Sequence, residues 1–125
     1  MKITPVLVVP SIEPVLPLWE ALGFARIAEV PHGEKLGFVL LALDGAEVMY
    51  QTIDSVLADE PKALQGASTP RASLFIEVPN LDEVVAKLPA GTDIFVERRT
   101  TFYGATETFV RDAAGNVIAF AQFAK

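Results

Sequence analysis

The sequence predicts an α+β fold made of two tandem βαβββ modules whose strands form a curved mixed sheet around a cavity. Three observations predict it. The chain matches itself at an offset of about 69 residues: Val6-Leu7-Val8-Val9 running into Pro10-Ser11-Ile12-Glu13 has its counterpart in Phe75-Ile76-Glu77-Val78 running into Pro79-Asn80-Leu81-Asp82. Within one or two residues, the same offset relates Leu22-Gly23 to Ala90-Gly91, Asp44-Gly45 to Ala114-Gly115 and Gln51 to Gln122. Inside each copy, a strand-sized apolar run is followed by one amphipathic stretch and then by three further strand-sized runs.

The elements follow in order. The first strand is Ile3 to Val9, and a helix covers Glu13 to Leu22, closed by Gly23 as a C-terminal cap. Pro14 suits a first turn, whereas Pro17 has no backbone donor, so the helix start is expected to be distorted. Strands follow at Phe24 to Val30, Leu36 to Leu43 and Glu47 to Thr52, joined by turns at Pro31-His32-Gly33-Glu34 and Asp44-Gly45. The segment 53–70 reads as a connector with one helical turn at Val56 to Ala58. In the second copy, the strand Ala72 to Val78 leads to a helix over Leu81 to Leu88, with Asn80 as cap and Glu83 placed to complete a capping box. Strands at Asp93 to Thr100, Thr106 to Arg111 and Val117 to Phe123 complete the unit. The modules are therefore 1–52 and 71–125 of a single domain, 1–125.

Composition narrows the function classes. A chain of 125 residues buries roughly two-thirds of the surface its unfolded form exposes, enough for a core without staples. With 51% apolar residues and no cysteine, it has no disulfide framework, thiolate nucleophile or thiolate metal site. The net charge of −6 and a single adjacent basic pair, Arg98-Arg99, disfavour nucleic acid. No apolar run approaches the ~20 residues of a membrane helix, and Met1 to Pro5 lacks the long apolar region of a leader peptide, so a cytoplasmic location is expected.

A helix covers one face of each βαβββ sheet and leaves the other open, so two modules can curl their open faces around a shared cavity. The repeat, Leu18-Trp19-Glu20-Ala21-Leu22-Gly23-Phe24, and the ending Tyr103-Gly104…Val110-Arg111-Asp112-Ala113-Ala114-Gly115-Asn116-Val117-Ile118 resemble the vicinal-oxygen-chelate superfamily, which includes glyoxalase I, extradiol dioxygenases, fosfomycin-resistance proteins and bleomycin-binding proteins. Such motifs specify fold better than function. The resemblance implies a divalent metal on the cavity side of the strands, held by His nitrogen or carboxylate oxygen. Carried over by counting from Val9 and Val78, those positions are Thr4, Ser73 and Ala119, with the fourth near Met49. None supplies a tight ligand, and Glu47 alone would not hold an ion, so neither metal nor other cofactor is expected.

The resemblance is then nearest in character to the metal-free bleomycin-binding branch. It implies a homodimer that sequesters a cationic or aromatic small molecule; the competing reading is a lyase, isomerase or dioxygenase of the same scaffold with a displaced or absent metal site. A scaffold acting only through protein contacts is the third. Catalytic residues are not identified. The expected ligand contacts are Phe38, Met49, Phe75, Glu77, Phe102, Tyr103 and Glu107. Strand alternation places Ser73, Phe75 and Glu77 on one face and Leu74, Ile76 and Val78 on the other, which leaves Glu77 either in the cavity or at a solvated edge. Glu107, Phe109 and Arg111 share a face whose orientation parity does not settle, so a solvated Glu107 is the default. Most of the aromatics, among them Tyr50, Phe95 and Phe109, are expected in the core, with Trp19 as a helix anchor. Phe102 and Tyr103 sit in a loop beside Gly104 and are the stronger ligand contacts. His32 reads as a turn residue away from the cavity, and Arg98-Arg99 as a solvated edge with at most one side chain inward.

Overall fold

The computed structural model describes residues 2–64 and 71–124. The chain divides into two compact units, Met1–Arg71 and Ala72–Lys125, with the same element order and sheet topology.

In the first unit, β1 (Val6–Val9) leads through a 3-10 turn (Glu13–Val15) into α1 (Leu16–Ala21). Pro14 and Pro17 each fall in the first turn of their own helical segment, which splits the expected helix at the place where a backbone donor is missing. Gly23, at φ +99°, ends it: the Gly23 amide donates to the Glu20 carbonyl and the Phe24 amide to that of Trp19. The strands β2 (Ala25–His32), β3 (Lys35–Leu43) and β4 (Ala46–Thr52) complete a sheet of order β1-β4-β3-β2, parallel between β1 and β4 and antiparallel elsewhere. Asp44 (φ 50°) and Gly45 (φ +83°) form the two-residue β3–β4 turn, whose paired positive φ matches strand twist.

Register sorts the two faces. Leu7, Val9, Val39, Leu41, Val48 and Tyr50 are buried against Ile12, Val15, Leu16 and Trp19. On the other face, one row joins Val6, Met49 and Leu40, and the next joins Val8, Gln51, Phe38 and Val30. The expected connector begins as α2 (Ile53–Asp59), longer than the predicted single turn because the Thr52 side chain caps it, accepting from the Ser55 amide at 3.1 Å. A 3-10 turn, Pro61–Leu64, follows; residues 65–70 of the expected connector lie outside the described residues.

Glu13 bridges the helical segment to the sheet: its Oε2 accepts from the Leu36 amide at 2.8 Å. That backbone donor holds the Glu13 carboxyl below the usual carboxylate range, with Lys35 and the Ser11 hydroxyl adding to it. A lowered native pKa stabilises the fold above the unfolded-state value, and the gain is lost as pH falls through the native one. Glu13→Gln should therefore melt below wild type at pH 7, with the gap closing on acidification below pH 4; an unchanged gap across that range would contradict it.

The second unit repeats the plan with β5 (Ser73–Glu77), α3 (Leu81–Lys87), β6 (Asp93–Thr100), β7 (Ala105–Arg111) and β8 (Val117–Phe123), in sheet order β5-β8-β7-β6. Asn80 Oδ1 accepts from the Glu83 amide at 3.2 Å, which is the predicted cap, and Gln122 Oε1 accepts from the Leu81 amide at 2.7 Å. Leu81, Thr108, Val110, Ile118 and Phe120 are buried on the α3 side. The Asp112-to-Asn116 turn is a closed network: Asp112 Oδ1 accepts from the amides of Ala114 and Asn116, and Asn116 Oδ1 accepts from the Ala72 amide at 2.8 Å, fastening the β7–β8 turn to the start of β5. The turn motif thus serves register. Among the described residues no helix is long and apolar enough to cross a membrane.

Candidate functional site

The face of the second sheet opposite α3 carries the densest set of the expected contacts. One register row joins Phe75, Ala119 and Phe109; the next joins Glu77, Ala121, Glu107 and Arg99. The small residues Ala119 and Ala121 leave room in the middle of β8, and aromatic rings close in around it. Phe75 meets Phe123 at 6.3 Å between centroids, Phe123 meets Tyr103 at 6.1 Å, and Tyr103 meets Phe102 edge-on at 5.1 Å. Phe95 and Phe109 form a second pair at 5.9 Å, with the Arg99 guanidinium 4.7 Å above Phe109 and that of Arg111 3.7 Å above Phe95. Phe102 is 100% exposed and Phe75 55%, so the chain of rings is a surface feature.

Glu107 corrects the sequence expectation. The solvated default fails: the side chain is 1% exposed and ion-pairs with Arg99 at 2.7 Å, while the Tyr103 hydroxyl donates to its other oxygen. Its position opposite the small side chain of Ala121 makes space for a carboxylate inside the sheet face, and the two partners satisfy it there. The bond to Glu107 raises the Tyr103 phenol above its ordinary value. Arg99 and Arg98 diverge as alternation requires: both are exposed on the edge strand β6, Arg98 pairing with exposed Asp82 at 2.8 Å and Arg99 reaching in to Glu107. Glu77 is exposed on the Phe75 side.

Of the remaining expected contacts, Phe38 and Met49 lie in the first unit, half-buried on the face opposite α1. Tyr50 is core, bonded to Trp19 Nε1 at 3.0 Å. Phe123 and the pairing of Arg99 with Glu107 escaped sequence reasoning. The matched parity of Tyr103, Glu107 and Phe123 was the available signal. His32 stands at the expected β2–β3 hairpin, where it ends β2 opposite Lys35, and it lines two grooves. At the positions where the resemblance put a metal, Ser73 and Ala119 share one face of the second sheet and Met49 sits beside Val6 in the first. No group of three or more His, Cys, Asp or Glu able to hold a metal ion occurs among the described residues.

Two four-stranded βαβββ units, of order β1-β4-β3-β2 and β5-β8-β7-β6, give the chain the fold of solved glyoxalase/bleomycin resistance/dioxygenase proteins. Among solved structures it is similar to TioX from Micromonospora sp. ML1, at 18% identity and TM-score 0.77, over 99% of both chains. It is also similar to a glyoxalase/bleomycin resistance protein/dioxygenase from Nocardioides, at 16% identity and TM-score 0.75, over 100% of this chain and 85% of that one. A glyoxalase/bleomycin resistance protein/dioxygenase family enzyme from Burkholderia phytofirmans PsJN matches at 14% identity and TM-score 0.76, over 97% of both chains. At these identities the likeness carries the fold. No family model and no curated protein matches the sequence.

Proposed function

We propose that this protein binds a planar aromatic small molecule on the face of the second sheet opposite α3, without a metal, and sequesters it unchanged. The observation that carries this reading is the contiguous run of exposed rings from Phe75 through Phe123 and Tyr103 to Phe102. Exposed apolar surface of this kind costs solubility and is kept where it binds something. The ligand's charge is positive or zero, because the chain carries −6 overall and Glu77 is exposed beside Phe75, while Arg99 and Arg111 are each engaged by a carboxylate. The same reading makes the protein a cytoplasmic homodimer.

Calorimetric titration with proflavine, a neutral planar analogue and naphthalene sulfonate tests it. Proflavine should bind tightest, and Phe75→Ala or Phe123→Ala should weaken it about 2- to 12-fold, the equivalent of one aromatic contact. Failure of all three compounds to bind, or binding by both variants as tight as wild type, would sink the proposal, and chemical conversion of a bound compound would replace sequestration with catalysis.

A further inference from the structure

The first unit holds a groove of about 390 Å³ whose lining includes His32, Phe38, Gln51, Ser55 and Asp59. Its lining is mixed: Val30, Pro31, Phe38 and Ala58 are apolar, and Gln51, Ser55 and Asp59 supply oxygen acceptors. Gln51 Nε2 donates to Ser55 Oγ at 3.1 Å, which engages one of the amide's two N–H groups and orients the side chain; its carbonyl oxygen is an acceptor. The Asp59 carboxylate adds two acceptor oxygens and a charge, and the Phe38 ring gives an apolar surface in the same row as Gln51. Across His32 lies a second groove of about 370 Å³ lined by Glu13, Glu34 and Asp54 with Lys35, so the surroundings are net negative.

Gly37 lets the groove exist. A Cβ there would stand 2.6 Å from His32 Cβ and 3.2 Å from Ser55 Cβ, so only glycine lets β2 and α2 approach the same point of β3. The register shift between Val30 and Pro31 on β2 opposes this position and brings His32 to the rim.

We propose that this groove is a second binding site, independent of the aromatic face, for a small flat amidinium or guanidinium cation. Such a group stacks on Phe38, donates N–H to the Gln51 carbonyl oxygen and pairs with Asp59. His32 is the only histidine in the chain, so its ring protons give one NMR signal set, read at the rim that both grooves share, and a response that Asp59→Asn weakens assigns the ligand to this groove.

Benzamidine titrated into the full-length protein should shift the His32 ring signals saturably, with a Kd on the order of 1 mM, as expected for so small a ligand. Benzamide and benzoate, at matched concentration, should shift them at least about tenfold less. Asp59→Asn, an exposed change, should weaken benzamidine about five- to tenfold, and Gly37→Ala should abolish the response. The response should persist in Phe123→Ala, which separates this site from the aromatic face. No saturable shift, equal shifts by benzamide, an unchanged affinity in Asp59→Asn, or loss of the response in Phe123→Ala would each overturn the proposal.

Discussion

Trp19→Ala is expected to destabilise the protein by about 3–5 kcal/mol, the range for removing a buried tryptophan. Trp19 is 1% exposed, meets Phe24 edge-on at 4.9 Å and donates to the Tyr50 hydroxyl at 3.0 Å. It joins α1 to the middle of β4. Losing it opens a void between helix and sheet that the neighbouring strands, fixed by their ladders, cannot close. Against a typical total stability of about 5–15 kcal/mol, the loss is a large fraction, and a melting-temperature drop of about 10–20 °C should accompany it. Trp19→Phe keeps most of the ring and removes the donor, so it should cost only about 1–2 kcal/mol. Urea titration of both variants checks this, and equal losses would show that the hydrogen bond, and not the ring volume, is what matters.

Glu107→Gln is the second large effect, at about 1–3 kcal/mol, because a buried carboxylate gives up its charge-assisted bonds to Arg99 and Tyr103. The pair is asymmetric. Arg99 is 48% exposed and Glu107 1%, so a guanidinium left behind by Glu107→Gln can return to water. A carboxylate left behind by Arg99→Ala cannot, and that variant should be the less stable of the two. The reverse order would show that water reaches Glu107. Glu107→Gln should also bring the Tyr103 phenol back toward its ordinary value, read as an earlier rise in absorbance at 295 nm on alkaline titration. The sign for stability follows: with the native phenol pKa raised, the contribution is complete below the unfolded value and is lost as pH rises through the native one. The alkaline limb of the wild-type stability profile should therefore flatten in the variant.

The reading of elements from sequence succeeded where one residue type has one physical outcome. Gly23 and Gly45 take positive φ where a helix cap and a hairpin turn were expected, Asn80 caps α3, and β6 and β8 keep their predicted bounds. Bounds moved where pairing decides: β1 starts at Val6 because its ladder to β4 begins at Met49, while Thr4 lies outside it. The site was legible as a set of residue types and illegible as an arrangement. Phe75, Phe102 and Tyr103 do contact other rings on one sheet face. Glu107 was assigned to solvent because strand parity fixes which residues share a face but not which face is enclosed.

By itself the sequence determined the doubled βαβββ plan, since its apolar periodicity, its Val-Pro strand ends and its turn glycines are all local rules repeated at a constant offset. Only tertiary structure decided that Glu107 is enclosed with Arg99 and Tyr103, and that His32 stands at the rim of two grooves. The reason is that both depend on which strand lies beside which and in what register: Ala121 opposite Glu107, and Gly37 beneath His32 and Ser55, are neighbours only after the sheet and α2 have closed.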